Sequence, residues 1–359
     1  MYLLSLLFIL IIRIKSNIVT IPINDYYYGI FNPSLSFPKE NINYPILLNT
    51  FNSYSVFWLD FDQINEYIIE DHVKLQLNSI KVCFLYQADI QFKSTILNNF
   101  YFYVGRDALC RNDVGIALGY HIKEETFSIV HSLYHNNNIN KLQFAFENPG
   151  TLNNGFLHIG GIPTDNYKEF PYKAIIKINE TLPTWGFILK NIKFNNKEYQ
   201  MNIPCIIHSA MENMFVSDEL FNFFSHSVFN DTMKYRPTST NIIKDFTAPI
   251  EGDIEFNFEE MKIVFKLNDL FNKSESQFVR ENLHFHNFSG IFLGSKFLYL
   301  FNYSLFDYEN KQVEFYTDII RISNFDNHQI NQMIFPMICV ILFICLIGCL
   351  FLFYYKILN

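Results

Sequence analysis

Apolar residues along this chain come in short runs broken by Asn, Asp and Pro, and over 19–167 no long amphipathic-helix pattern emerges. Runs such as 74–86 and 100–104 last about one strand and then stop, which predicts many short strands. The same texture continues from about 174 to 318. One segment departs from it: Ser217-Asp218-Glu219-Leu220-Phe221-Asn222-Phe223-Phe224 predicts a helix. Ser217 can cap the first free N–H groups, and the two acids favour the positive end of the helix dipole.

The two ends of the chain are patterned differently. Residues 1–12 are almost wholly apolar, followed by Arg13, Lys15 and Ser16. An apolar core this short fits a secretory signal, read as 1–16, better than a membrane span. The positive charges follow the core instead of preceding it, so an uncleaved anchor stands as the alternative. Near the other end, 334–355 is a run of 22 residues with no charge. At about 1.5 Å per residue such a helix crosses a hydrocarbon core of about 30 Å. A buried core helix is the other reading, but a wholly apolar helix at the extreme end has nothing left to pack inside. Tyr354 and Tyr355 suit the membrane interface, with Lys356 just beyond. The expected arrangement is a single-pass type I membrane protein of the cell surface or secretory and endosomal pathway, with a polar stalk over 319–333 and a cytoplasmic tail at 356–359.

Within the body of the chain one pattern occurs twice. Pro45-Ile46-Leu47-Leu48-Asn49-Thr50-Phe51 is answered 159 residues later by Pro204-Cys205-Ile206-Ile207-His208-Ser209-Ala210. Each copy reads Pro, three apolar residues, a polar residue, Thr or Ser, then a non-polar residue. Taken alone, each is an ordinary buried strand ending in a turn. A second echo follows in the same order, Gly115-Ile116-Ala117-Leu118-Gly119 and Gly290-Ile291-Phe292-Leu293-Gly294. Two halves built this way resemble the pepsin-like aspartic proteases, whose junctions carry Asp-Thr-Gly and Asp-Ser/Thr-Gly. Asp25-Tyr26-Tyr27-Tyr28-Gly29 resembles that family's entry strand, 155–162 the segment closing its first lobe, and 292–298 with 306–315 its closing strands. The resemblance spans about 25–317. It implies an all-β, bilobal pepsin-like fold with lobes at 17–172 and 173–318, and a C-terminal transmembrane helix is added by the apolar run.

Composition agrees with β-structure: 40 Phe and 22 Tyr stand beside 13 Gly, in a chain of 359 residues long enough for two cored lobes. A net charge of −8 argues against a nucleic-acid partner. Three cysteines lie outside the apolar ends, and Cys83 with Cys110 is the economical disulfide in a secreted chain. Cys205 is then left as a buried thiol or an intermolecular bridge. Sequons at Asn179, Asn230, Asn272 and Asn287 are glycosylation candidates, while Asn302 sits in an expected closing strand.

The family's chemistry needs two carboxyl groups sharing one proton across the junctions. Here those positions hold Asn49, whose amide is no base, and His208. Phe51 and Ala210 replace the glycines that follow, while Thr50 and Ser209 keep the bracing hydroxyls that the resemblance implies. Asp60 and Asp62 lack the hydroxyl and glycine that position such a dyad. Tyr86 falls where the family's flap tyrosine would be, without that flap's glycines. His131 and His135, and His284 and His286, have ligand-like spacing but no accompanying Cys or acids, so solvated histidines and no metal are expected. No cofactor is implied. The resulting expectation is a non-catalytic membrane protein whose interlobe cleft, with Thr50, Phe51, Tyr86, Ser209 and Ala210, takes a peptide or protein ligand. The alternatives are an atypical endopeptidase centred on His208 and a structural surface antigen.

Overall fold

The computed structural model describes residues 18–324 apart from 27–28, 38–41, 52–54, 58–67, 78, 93–94, 106–114, 122–124, 149–154, 164–169, 195–196, 212–213, 217–219, 221–222, 224–251, 260, 267–270, 273–274, 277, 281–289 and 319–320. The expected signal (1–16), the apolar run 334–355 and the tail lie outside the described residues, as do Asp60, Asp62, Cys110, Asn230, Asn287, His284 and His286. Among the described residues no helix is long and apolar enough to cross a membrane.

The first half is built from strands β1 Val19–Tyr26, β2 Gly29–Phe37, β3 Ile42–Asn49, β4 Val56–Phe57, β5 Ile68–Leu77, β6 Ser79–Phe92, β7 Thr95–Gly105, β8 Ile116–Ala117, β9 Gln143–Glu147 and β10 Gly155–Ile159. The second half adds β11 Tyr172–Lys177, β12 Gly186–Phe194, β13 Lys197–Ile207, β14 Met214–Val216, β15 Asp253–Phe258, β16 Met261–Lys266, β17 Phe271–Asn272, β18 Glu275–Ser276, β19 Phe278–Arg280, β20 Ile291–Leu293, β21 Tyr303–Asp307, β22 Gln312–Thr317 and β23 Arg321–Asn324. Two short helices, Ile129–His135 and Ser295–Leu298, are described.

Period-two burial explains the strands. In β6, Tyr86, Ala88, Ile90 and Phe92 are buried while Leu85, Gln87, Asp89 and Gln91 are half-buried. Successive side chains on a pleated strand point to opposite faces, so one face of β6 enters the core. Tyr86 belongs to that core face: it pairs with Phe102 across β6 and β7, and their rings stack with centroids 5.9 Å apart. It is therefore a sheet-core residue and not the tip of a flap. β6 is shared by two hairpins, pairing with β5 between Ser79 and Tyr86 and with β7 between Cys83 and Phe92.

The halves share a sheet. Strands run in the order β11-β22-β21-β9-β10-β1, every pair antiparallel, so three strands from each half lie side by side. A second sheet, β19-β14-β20-β13-β12-β15-β16-β23, belongs to the second half alone. The stalk expected from 319 is corrected at its start: Arg321–Asn324 pairs antiparallel with Met261–Val264 and extends this sheet. Of the expected helix at 217–224, Leu220 and Phe223 are helical and buried, and the rest lies outside the described residues.

Aromatic side chains seal the contact between halves. Trp185 is fully buried between Phe144, Phe306 and Tyr308, and its Nε1 donates to the Leu118 carbonyl at 2.6 Å. Phe144 and Phe306, from β9 and β21, stack at 4.5 Å. Such pairs add about 0.5–1.5 kcal/mol beyond the area they bury.

Candidate functional site

Both sequence echoes are local structures of one kind. β3 runs parallel to β8, with Leu48 beside Ile116 and Asn49 beside Ala117. β13 runs parallel to β20, with Ile206 beside Phe292 and Ile207 beside Leu293. Each Gly-Ile-x-Leu-Gly segment thus flanks the strand that ends in a junction. Backbone bonds fix the last step, Leu118 N–H to the Asn49 carbonyl and His208 N–H to the Leu293 carbonyl, both at 2.9 Å. Gly115, at φ +151°, has to be glycine, because a Cβ there would lie 2.8 Å from the Leu47 carbonyl oxygen.

The two junctions are tied to one another by four reciprocal hydrogen bonds. The Thr50 hydroxyl donates to the Ile207 carbonyl at 2.8 Å and accepts the Ser209 N–H at 3.0 Å. The Ser209 hydroxyl donates to the Leu48 carbonyl and accepts the Thr50 N–H at 3.0 Å. Each hydroxyl spends its donor on one partner strand and its acceptor on one partner turn, in approximate two-fold symmetry. Thr50 and Ser209 are both fully buried. Here the bond from β2, Ile30 N–H to the Ser209 carbonyl at 2.9 Å, adds a third strand to the junction.

Two contributors were missed by sequence reasoning. Thr184 donates its hydroxyl to the Thr50 carbonyl at 2.6 Å and accepts the Tyr120 N–H, tying the start of the second half to the first junction. Ser55 donates to the Phe127 carbonyl at 2.8 Å and accepts the Ala117 N–H at 3.0 Å. The only sequence signal for either is a small hydroxyl residue beside bulky apolar ones, which is far from specific.

At the positions of the chemistry, Asn49 is fully buried and His208 is 2% exposed. The Asn49 side-chain oxygen accepts the Phe51 N–H at 2.9 Å, so it braces its own turn. Phe51 lies flat on the His208 imidazole, with centroids 5.0 Å apart and planes 9° apart. Phe292 meets both rings edge-on, at 6.0 Å from Phe51 and 6.1 Å from His208. Where a glycine would leave the backbone open, Phe51 places a ring against the histidine. Ala210 is half-buried in the turn closed by the Met211 N–H to the His208 carbonyl. Neither Asn49-Thr50-Phe51 nor His208-Ser209-Ala210 contains a carboxyl group, so these residues cannot share a proton in the manner of a carboxyl dyad.

The remaining candidates fall elsewhere. Cys205 is free and buried, and burial pushes its thiol pKa well above the ordinary value. Cys83 sits in β6, but its expected partner Cys110 is outside the described residues. His131 and His135 stand one turn apart on the helix Ile129–His135 and make different contacts. His131 Nδ1 is 3.0 Å from the Ser128 hydroxyl and its ring meets Tyr308 edge-on, with its pKa held low chiefly by burial. His135 is exposed and pairs with Glu125. His131 is thus half-buried against Tyr308, while His135 is exposed. No group of three or more metal-ligating side chains occurs among the described residues. Asn179 caps an exposed turn, while Asn272 lies in β17.

By sequence, no family and no curated protein matches the chain. Among solved structures it is similar to the aspartic proteinase from Irpex lacteus, with a TM-score of 0.64 and 16% identity over 84% of this chain and 97% of that one. The fold is therefore pepsin-like, bilobal and mostly β. At that identity the likeness carries the fold alone.

Proposed function

We propose that this protein is a non-catalytic, membrane-anchored member of the pepsin-like architecture, and that its interlobe cleft binds an extended peptide or a protein segment. The observation that carries the reading is the Phe51 ring stacked on His208 beside a buried Asn49, where the architecture's chemistry calls for two carboxyl groups. A catalytic dyad could not operate there, yet the bracing hydrogen bonds of Thr50 and Ser209 are kept in full. Retaining a costly buried polar network without its chemistry favours a role for the shape of the cleft. Attachment follows from 334–355, reached through the short polar stretch 325–333 after β23, with the lobes on the lumenal or extracellular side.

Immobilised full-length protein incubated with a library of extended peptides tests the reading. A subset of peptides retained and recovered intact is expected. Recovery of cleaved peptides would contradict the loss of catalysis, and an absence of retention would contradict ligand binding.

A further inference from the structure

Two sequons have described side chains, Asn179-Glu180-Thr181 and Asn302-Tyr303-Ser304, and they differ at the hydroxyl residue, which is exposed in the first and buried in the second. The Asn179 side-chain oxygen accepts both the Thr181 N–H at 3.0 Å and the Thr181 hydroxyl at 2.6 Å. This ring fixes the carboxamide and leaves Nδ2 outside it. The hydroxyl bond also polarises the amide and makes its N–H more acidic. The turn is held on both sides: Asn179 N–H donates to the Gly186 carbonyl at 2.7 Å, and Leu182 N–H to the Asn179 carbonyl at 3.0 Å. Glu180 is anchored outward by Lys311 at 2.8 Å. Glu180 and Thr181 are exposed, and a hollow of about 300 Å³ opens beside Asn179.

Asn302 is engaged in the fold instead. Its N–H donates to the Tyr316 carbonyl at 2.9 Å, its carbonyl accepts the Asn148 N–H at 2.8 Å, and its Oδ1 accepts the Asp318 N–H at 3.3 Å. Ser304 is 1% exposed inside β21. A glycan attached there before folding would have to be accommodated against the sheet that joins the halves.

We propose that Asn179 is an N-glycosylation acceptor and that Asn302 is not, an inference resting on the secretory placement proposed above. In the transfer, Nδ2 of Asn179 attacks the anomeric carbon of an oligosaccharide carried on a polyprenyl diphosphate. The N–C bond forms, the C–O bond to the diphosphate breaks, the amide proton passes to a base of the transferase, and polyprenyl diphosphate leaves. Electrons are not exchanged with any other partner.

The test is translation of the full chain with microsomes, with external protease and endoglycosidase treatment and glycopeptide mass spectrometry. The expected result is a protease-protected chain with a glycan on the peptide containing Asn179. One glycoform step should be lost in Asn179→Gln and in Thr181→Ala, kept in Thr181→Ser, and unchanged in Asn302→Gln. A protected chain whose glycoform pattern is the same in Asn179→Gln and Thr181→Ala overturns the site while leaving the topology standing. A chain fully digested by external protease overturns the lumenal placement and the site with it.

Discussion

Replacing Thr50 by Val keeps the volume of the side chain and removes the hydroxyl that makes two of the four hydrogen bonds between the junctions. The Ile207 carbonyl then loses its donor at 2.8 Å and the Ser209 N–H its acceptor at 3.0 Å, at a position with no solvent exposure. Each buried polar group left without its partner costs about 1–3 kcal/mol, so the pair should cost about 2–6 kcal/mol. That is a large share of a total stability of about 5–15 kcal/mol. With a urea dependence near the upper end of about 1–3 kcal/mol per molar, the unfolding midpoint should fall by roughly 0.7–2 M. Trp185 is a suitable reporter, being buried where the halves meet. Thr50→Ser should recover most of the loss, because it restores the hydroxyl, and Ser209→Ala should cost a similar amount by the symmetry of the brace. A Thr50→Val midpoint within about 0.3 M of the unaltered protein would refute the reasoning.

Cys205, buried and with its thiol pKa raised, should resist alkylation in the native protein at mildly alkaline pH and react at once in denaturant; fast native labelling read by mass spectrometry would contradict this. Glu147 is held below its ordinary pKa of 4.5 chiefly by its hydrogen bond to His158 at 2.5 Å, with burial opposing and Tyr303 adding to the lowering. A depressed carboxyl contributes stability above the unfolded pKa and loses it as pH falls through the folded value. Glu147→Gln should therefore narrow the gap in urea midpoint between neutral and acidic pH, and an unchanged gap would count against the pairing. Truncation at Asn331 should release the lobes from membranes, and retention of the truncated protein through an alkaline carbonate wash would show another attachment.

Much of the architecture was legible because it is written locally and twice. The Pro-apolar-polar-hydroxyl runs and the Gly-Ile-x-Leu-Gly echoes are each a few residues long, and the structure pairs each echo with its own junction strand. The pairing of β21 and β22 with β9 and β11 was not legible, since antiparallel register between strands more than 100 residues apart leaves no mark in periodicity. Tyr86 was misplaced for a related reason. A flap tyrosine and a core tyrosine occupy the same kind of alternating run, and only the partner strand, with Phe102 opposite, tells them apart. Polar content made 321–324 look like a spacer, although Ile322 pairs with Ile263 in an ordinary edge strand. At the junctions the residue types alone disclosed that the carboxyl groups are gone. That Phe51 would lie flat on His208 depended on the second junction being brought to it by the brace.

On the proposed reading the fold persists without the chemistry of a carboxyl pair. General acid–base work typically supplies about 10²–10⁴-fold in rate, and on that reading Asn49 and His208, with Phe51 stacked on it, do not replace a shared proton. The direct measurement is the appearance of new amino termini in an unfolded protein substrate incubated with the purified full-length chain, from about pH 3 to 7, the span over which carboxyl and imidazole groups titrate. Rates indistinguishable from buffer at every pH are predicted. Cleavage well above buffer that disappears in His208→Ala would contradict the account and assign the histidine a catalytic role.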